Sequence, residues 1–118
     1  MKDKKRLIKS FKYAFEGIYT GLNTEKNMKI HVGIMILVII FGIILKISKI
    51  EWIICIILFG LVISLELMNT AIENAVDLIT QEKNPKAKIA KDVAAGAVVL
   101  SALNAVIIAI FIFVNKII

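Results

Sequence analysis

Glu66, Asn69, Glu73 and Asp77 lie at offsets of 0, 3, 7 and 11 residues. On an α-helix these positions project within roughly 80° of one another, so three carboxylates and one carboxamide share a single stripe. The residues ahead of them, Trp52 to Leu65, carry no charge at all. An acidic side chain at the centre of a membrane helix costs about 2.5–3.5 kcal/mol even on the lenient insertion scale. Several on one face therefore call for a use. Three are chemically reasonable: holding helices together, passing protons or cations, or binding a metal. Adhesion alone is wasteful, because Ser, Thr and Asn do it at lower cost. Proton coupling in a small exporter built around Glu66 stays open, since buried Glu is a usual participant there.

Metal-assisted chemistry fits the surroundings best. Magnesium is typically held by one or two carboxylates plus the phosphates of a nucleotide. Glu25 and Glu73 can supply those carboxylates, while Lys91 and Arg6 can meet the remaining phosphate charge. Glu66, deeper in the apolar run, can accept a proton from a lipid alcohol arriving through the hydrocarbon. Phosphoryl transfer requires little more than positioning, charge neutralisation and an oriented hydroxyl. No G-x-x-x-x-G-K-[ST] string occurs, so the phosphates are gripped without a P-loop. A purely structural subunit, by contrast, would lose nothing on neutralisation of Glu73.

These residues need a membrane scaffold. The chain has 118 residues, 59% of them hydrophobic, with a mean hydropathy of +0.88, more apolar surface than one small core can hide. Three apolar segments carry the excess, from about Met28 to Ile47, from Trp52 to about Ile79, and from about Val93 to Val114. Each matches a bilayer core of roughly 30 Å, which takes about 20 helical residues. The reading is therefore a single all-α integral membrane domain over residues 1–118. The runs are too long for barrel strands and lack period-2 alternation. They also begin too late for a cleavable signal peptide. Cys55, the single cysteine, can form no internal disulfide and reads as a small apolar side chain.

Ahead of the spans, residues 5–22 show helical amphipathicity, with Leu7, Phe11, Phe15, Ile18 and Leu22 opposite Lys5, Arg6, Lys9, Lys12 and Glu16. Such a helix lies in the interface with its lysines among anionic headgroups. Nothing points to nucleic acid. Of the fifteen basic residues, twelve precede the first span or flank the second connection, and three lie elsewhere. That asymmetry places the N-terminus in the cytoplasm and the C-terminus outside. The acidic stripe then meets the cytoplasmic face, where nucleotides are available. Thr80 to Lys91, with the only proline, Pro85, is the one clear loop.

The string ELMNTAIENAVD, Glu66 to Asp77, resembles the signature of the prokaryotic diacylglycerol kinase family. FKYAFEGI (Phe11–Ile18), EKNMKIH (Glu25–His31) and AKDVAAGAV (Ala90–Val98) resemble the family's other blocks in the same order. The similarity covers about Arg6 to Val114. It implies a small membrane lipid kinase with three transmembrane helices plus an N-terminal amphipathic interfacial helix, a homotrimer with active sites between subunits, and dependence on magnesium and ATP. Carried over residue by residue, it implies Glu66 as general base and Glu25 and Glu73 as metal-binding residues. Arg6, Tyr13, Lys91 and Asp92 become nucleotide contacts, and Glu82, Lys83 and Asn84 lie where the connecting loop meets the nucleotide. Asn27, His31, Asn69 and Asp77 become polar residues of the active site.

Two departures bear on the acceptor. At His31 the Gram-negative members tend to carry a carboxylate, and at Glu16 a basic residue. EKNMKIH instead resembles the Gram-positive branch, whose members phosphorylate undecaprenol. Undecaprenol is thus the expected acceptor, with diacylglycerol the alternative. His31 itself reads as an interfacial imidazole with a hydrogen-bond partner. It cannot share a metal with Glu25 by helical geometry, because a six-residue offset sets them about 120° apart. Small residues at Ala90, Ala94, Ala95, Gly96 and Ala97 slim the start of the third span and let backbones approach near the acidic stripe. Three spans alone can hardly shield that stripe from lipid, which is a physical reason to expect oligomers.

Overall fold

The computed structural model describes residues 2–118. Four helices follow in order: α1 (Lys2–Thr24), α2 (Lys26–Ile44), α3 (Lys49–Ile79) and α4 (Pro85–Ile117). The interfacial helix expected over 5–22 is thus longer by a few residues at its start and two at its end. It stops at Glu25, whose extended backbone (φ −96°, ψ 121°) turns the chain into α2. Gly21 is the one buried residue of α1. A Cβ there would fall inside the side chain of Leu67, so its absence lets α1 dock on α3 one residue from Glu66.

The connection between α2 and α3 is tightly specified. α2 ends at Ile44, three residues short of the span expected from hydropathy alone. Ile47 N–H donates to the Gly42 carbonyl at 3.1 Å and Lys46 N–H to that of Ile43 at 3.3 Å, with Lys46 left-handed at φ 53°. That pairing is a Schellman stop with lysine where glycine is usual. Ser48 then opens α3 with a capping box. Its hydroxyl accepts from Glu51 N–H at 3.2 Å, and the Glu51 carboxylate accepts from Ser48 N–H at 2.8 Å. Trp52 lies over Gly42, where a Cβ would collide with its ring.

The second connection is shorter than the sequence suggests. Asn84 caps α4 by accepting from Lys86 and Ala87 N–H at 2.9 and 3.3 Å, and Pro85 occupies the first helical turn. Proline there is a start signal, because its missing N–H would have had no intrahelical partner. Residues 85–91 are therefore helix, and the loop is confined to residues 80–84.

α3 and α4 form the principal pair. Buried Cys55, Val62, Glu66 and Asn69 face buried Ala94, Val98, Ser101 and Ile112. Spacings of three, four and seven are those of a shallow-angle helix seam. At its hairpin end Ile47, Cys55 and Ile112 form a cluster, with Trp52, Phe59 and Phe113 packed against it.

The result is a slab of 52 × 47 × 19 Å with a radius of gyration of 17.7 Å, against about 13.5 Å for a compact chain of this length. Its accessible surface is 9235 Å², where a compact soluble protein of this mass has about 6,400 Å². The excess is apolar: α2, α3 and α4 are each long and apolar enough to cross a membrane. At 1.5 Å per residue α3 is about 46 Å long, well beyond a hydrocarbon core of roughly 30 Å. A core entered at Trp52 is left near Ala71. Glu66 then lies in hydrocarbon, while Glu73 and Asp77 lie among headgroups.

Candidate active site

Glu66 is almost completely buried, with 1% of its surface exposed. Its Oε2 lies 3.3 Å from Nε2 of His31 on α2. Its Oε1 has no hydrogen-bond partner among the described residues. One turn along α3, the Asn69 side chain donates from Nδ2 to Glu73 Oε1 at 3.0 Å, leaving its own buried Oδ1 without a partner. Thr70 turns its hydroxyl to the Glu66 backbone carbonyl and so does not touch the carboxylate. A buried polar atom left unpaired costs about 1–3 kcal/mol. Two in adjacent turns single out this part of α3 as the candidate site.

Both residues line a cleft of about 380 Å³ together with Asn27, His31 and, from α4, Ala95, Val98, Val99 and Ala102. The α4 wall is wholly apolar, with Leu103 and Val106 continuing it beyond Ala102. A chain-like apolar molecule can lie along it with a hydroxyl at the carboxylate. Four residues singled out in the sequence, Asn27, His31, Glu66 and Asn69, are thus brought together, and Glu73 is joined to them through Asn69.

Asp77 is not at this cleft. It borders a second, larger cavity of about 650 Å³ with Glu82, Lys83, Asn84, Lys91 and Asp92, where α3 meets α4. Lys91 Nζ donates to Asp77 Oδ1 at 2.6 Å across that junction. Lys88 is the residue that sequence reasoning missed; it lines the same cavity and donates to Asp92 at 2.6 Å. Its spacing of four from Asp92 was the available signal. Both pairs are exposed, so they are worth little to stability. They leave a mixed-charge, water-facing pocket.

Arg6 and Tyr13 stand apart from both cavities, on an exposed groove of α1 shared with Lys2, Lys5 and Lys9. Glu25, half-buried, occupies the bend between α1 and α2, and its side chain makes no capping hydrogen bond.

Residues 12–113 match the family described as prokaryotic diacylglycerol kinase. The chain belongs to that family. It is 47% identical over 111 residues to a protein of Bacillus subtilis named undecaprenol kinase, covering 94% of this chain and 90% of that one. It is also 42% identical over 103 residues to a Synechocystis protein named diacylglycerol kinase, covering 86% of this chain but only 59% of that longer protein. Membership makes the protein a lipid kinase with ATP as donor and a multi-pass membrane protein. The exporter reading falls away.

No group of three or more His, Cys, Asp or Glu side chains comes together to cage a metal among the described residues. Magnesium in a kinase needs no such cage, because nucleotide phosphates and water complete its shell. Glu25, with no cap to serve, and Glu73, held at one oxygen by Asn69, are oxygen donors of the kind this ion takes. The donor set fits.

Proposed function

We propose that this kinase transfers the γ-phosphoryl group of ATP to the hydroxyl of undecaprenol at the inner face of the bacterial cytoplasmic membrane. The observation that carries the reading is the buried, half-unpartnered Glu66 carboxylate beside an apolar wall. The identity to the Bacillus protein supports the choice of acceptor. In the proposed step the lipid oxygen attacks the γ-phosphorus and the bond to the β–γ bridging oxygen breaks. The hydroxyl proton passes to Glu66 Oε1, and ADP leaves. Magnesium, when bound through Glu25 and Glu73, would neutralise phosphate charge. Lys91, Asp92, Glu82, Lys83 and Asn84 would contact the nucleotide from the second cavity, while Asn27, His31, Asn69 and Asp77 complete the polar surroundings.

Arg6 and Tyr13 complete this site from α1 of a neighbouring copy, in a homotrimer whose active sites lie between subunits. The excess apolar surface supports assembly, as does the separation of the α1 groove from the carboxylates. The lysine distribution supports a cytoplasmic N-terminus and an external C-terminus, with α1 seated on anionic headgroups. Diacylglycerol is the second reading, favoured by the Synechocystis relative. Purified protein given labelled ATP, magnesium and both lipids in one vesicle preparation decides between them. Undecaprenyl phosphate should dominate the product and vanish with EDTA; a majority of phosphatidic acid would reassign the acceptor.

A further inference from the structure

A carboxylate that serves as base must present one oxygen to its substrate and keep the other still. α3 offers Glu66 nothing for this: Asn69 donates to Glu73, and Thr70 to the backbone. α4 contributes only apolar groups to the cleft. The one contact with the carboxylate among the described residues comes from α2, where His31 Nε2 meets Oε2 at 3.3 Å. An ionised carboxylate only accepts hydrogen bonds, so a hydrogen bond across this contact requires the proton on the ring nitrogen that faces it. The remaining oxygen, Oε1, is buried and free of partners. Among the described residues, His31 and Glu66 are also the only ionisable side chains lining this cleft, with Glu73 two turns from Glu66 behind Asn69.

We infer that His31 is a positioning residue for phosphoryl transfer: its Nε2–H holds Oε2 of Glu66 so that Oε1 alone receives the proton of the lipid alcohol. This rests on the reading of Glu66 as the base. It also gives a physical role to one of the two positions at which the chain departs from the Gram-negative pattern. An imidazole can donate to a carboxylate where a second carboxylate would repel it.

The test compares two amides of different reach. His31→Gln places an N–H donor about where Nε2 stands, whereas His31→Asn is equally polar and too short. Turnover is measured with an ordinary long-chain lipid alcohol and with an analogue acidified by fluorine beside the hydroxyl-bearing carbon. With the ordinary alcohol, His31→Asn should lower kcat about ten- to hundredfold, a share of the roughly 10²–10⁴ that a positioned base supplies. KM for ATP should stay unchanged, and His31→Gln should recover most of the loss. With the acidified alcohol the His31→Asn defect should shrink, because a better acid leans less on its base. Equal activity of the two amides, or an equal defect on both alcohols, would overturn the inference. Glu66→Gln measured alongside separates the two claims. If it turns over normally, the base assignment fails; if it is dead while the amides behave alike, only the role of His31 fails.

Discussion

Glu51 and Glu66 stand on the same helix, α3, one in its first turn and one just past its middle, and the protein treats them in opposite ways. Glu51 accepts from the Ser48 backbone within the capping box and pairs with Lys116 at 3.0 Å. Around it the chain is closed by a Schellman stop, by Trp52 seated on Gly42, and by the Ile47, Cys55 and Ile112 cluster. Glu66 is far more deeply buried, yet one of its oxygens is bare and its neighbour Asn69 also has an unpaired oxygen. At the hairpin Ser48, Glu51 and Lys116 are all spent on the fold. Further along α3 the two unpaired oxygens contribute no such bond to the fold, and on the proposed reading they are left for the substrate. A carboxylate on a membrane helix is thus read by its partners and not by its depth.

Three substitutions press on that contrast. The largest effect belongs to Glu66→Gln, which keeps the shape and removes the proton acceptor. Turnover should fall by roughly 10²–10⁴ with ATP binding intact by equilibrium dialysis; near-normal turnover would erase the distinction between the two carboxylates. Asn69→Leu comes next. Releasing Glu73 from its holder should raise the magnesium concentration for half-maximal activity by about ten- to hundredfold, the usual cost of losing a ligand's support. An unchanged magnesium titration would show that the Asn69–Glu73 bond does not orient a ligand. Smallest is Ser48→Ala at the hairpin. It should cost about 0.5–2 kcal/mol of stability by denaturant titration in micelles and leave kcat unchanged. A fall in kcat there would mean that the closed end also governs the chemistry.

Much of this was legible in the residues. Three long apolar segments marked the spans, and the helical spacing of the stripe marked the acidic face, whose first two residues, Glu66 and Asn69, line the cleft. Some boundaries were hidden by atypical chemistry. Lysine at the left-handed position concealed the end of α2, which a glycine would have announced. Pro85 looked like a loop residue because the Asn84 cap beside it was not weighed. The partners of the carboxylates were hidden for a different reason. His31 lies on another helix from Glu66, and Asp77 meets Lys91 across a connection. Such pairings depend on how helices are set against one another, which no periodicity within one helix encodes. The separation of Asp77 from the stripe has the same origin: α3 runs on past the membrane, so residues sharing a helical face end in different surroundings.

That overrun of α3 has a practical outcome on the proposed reading. One rigid rod carries its proton acceptor in oil and its cation-binding carboxylate in brine, about 10 Å apart along the axis. Neither reactant has to change phase to meet the other. The greasy alcohol stays dissolved among acyl tails, the nucleotide stays hydrated, and the newly charged head group is made already at the waterline, with no barrier left to cross before it departs.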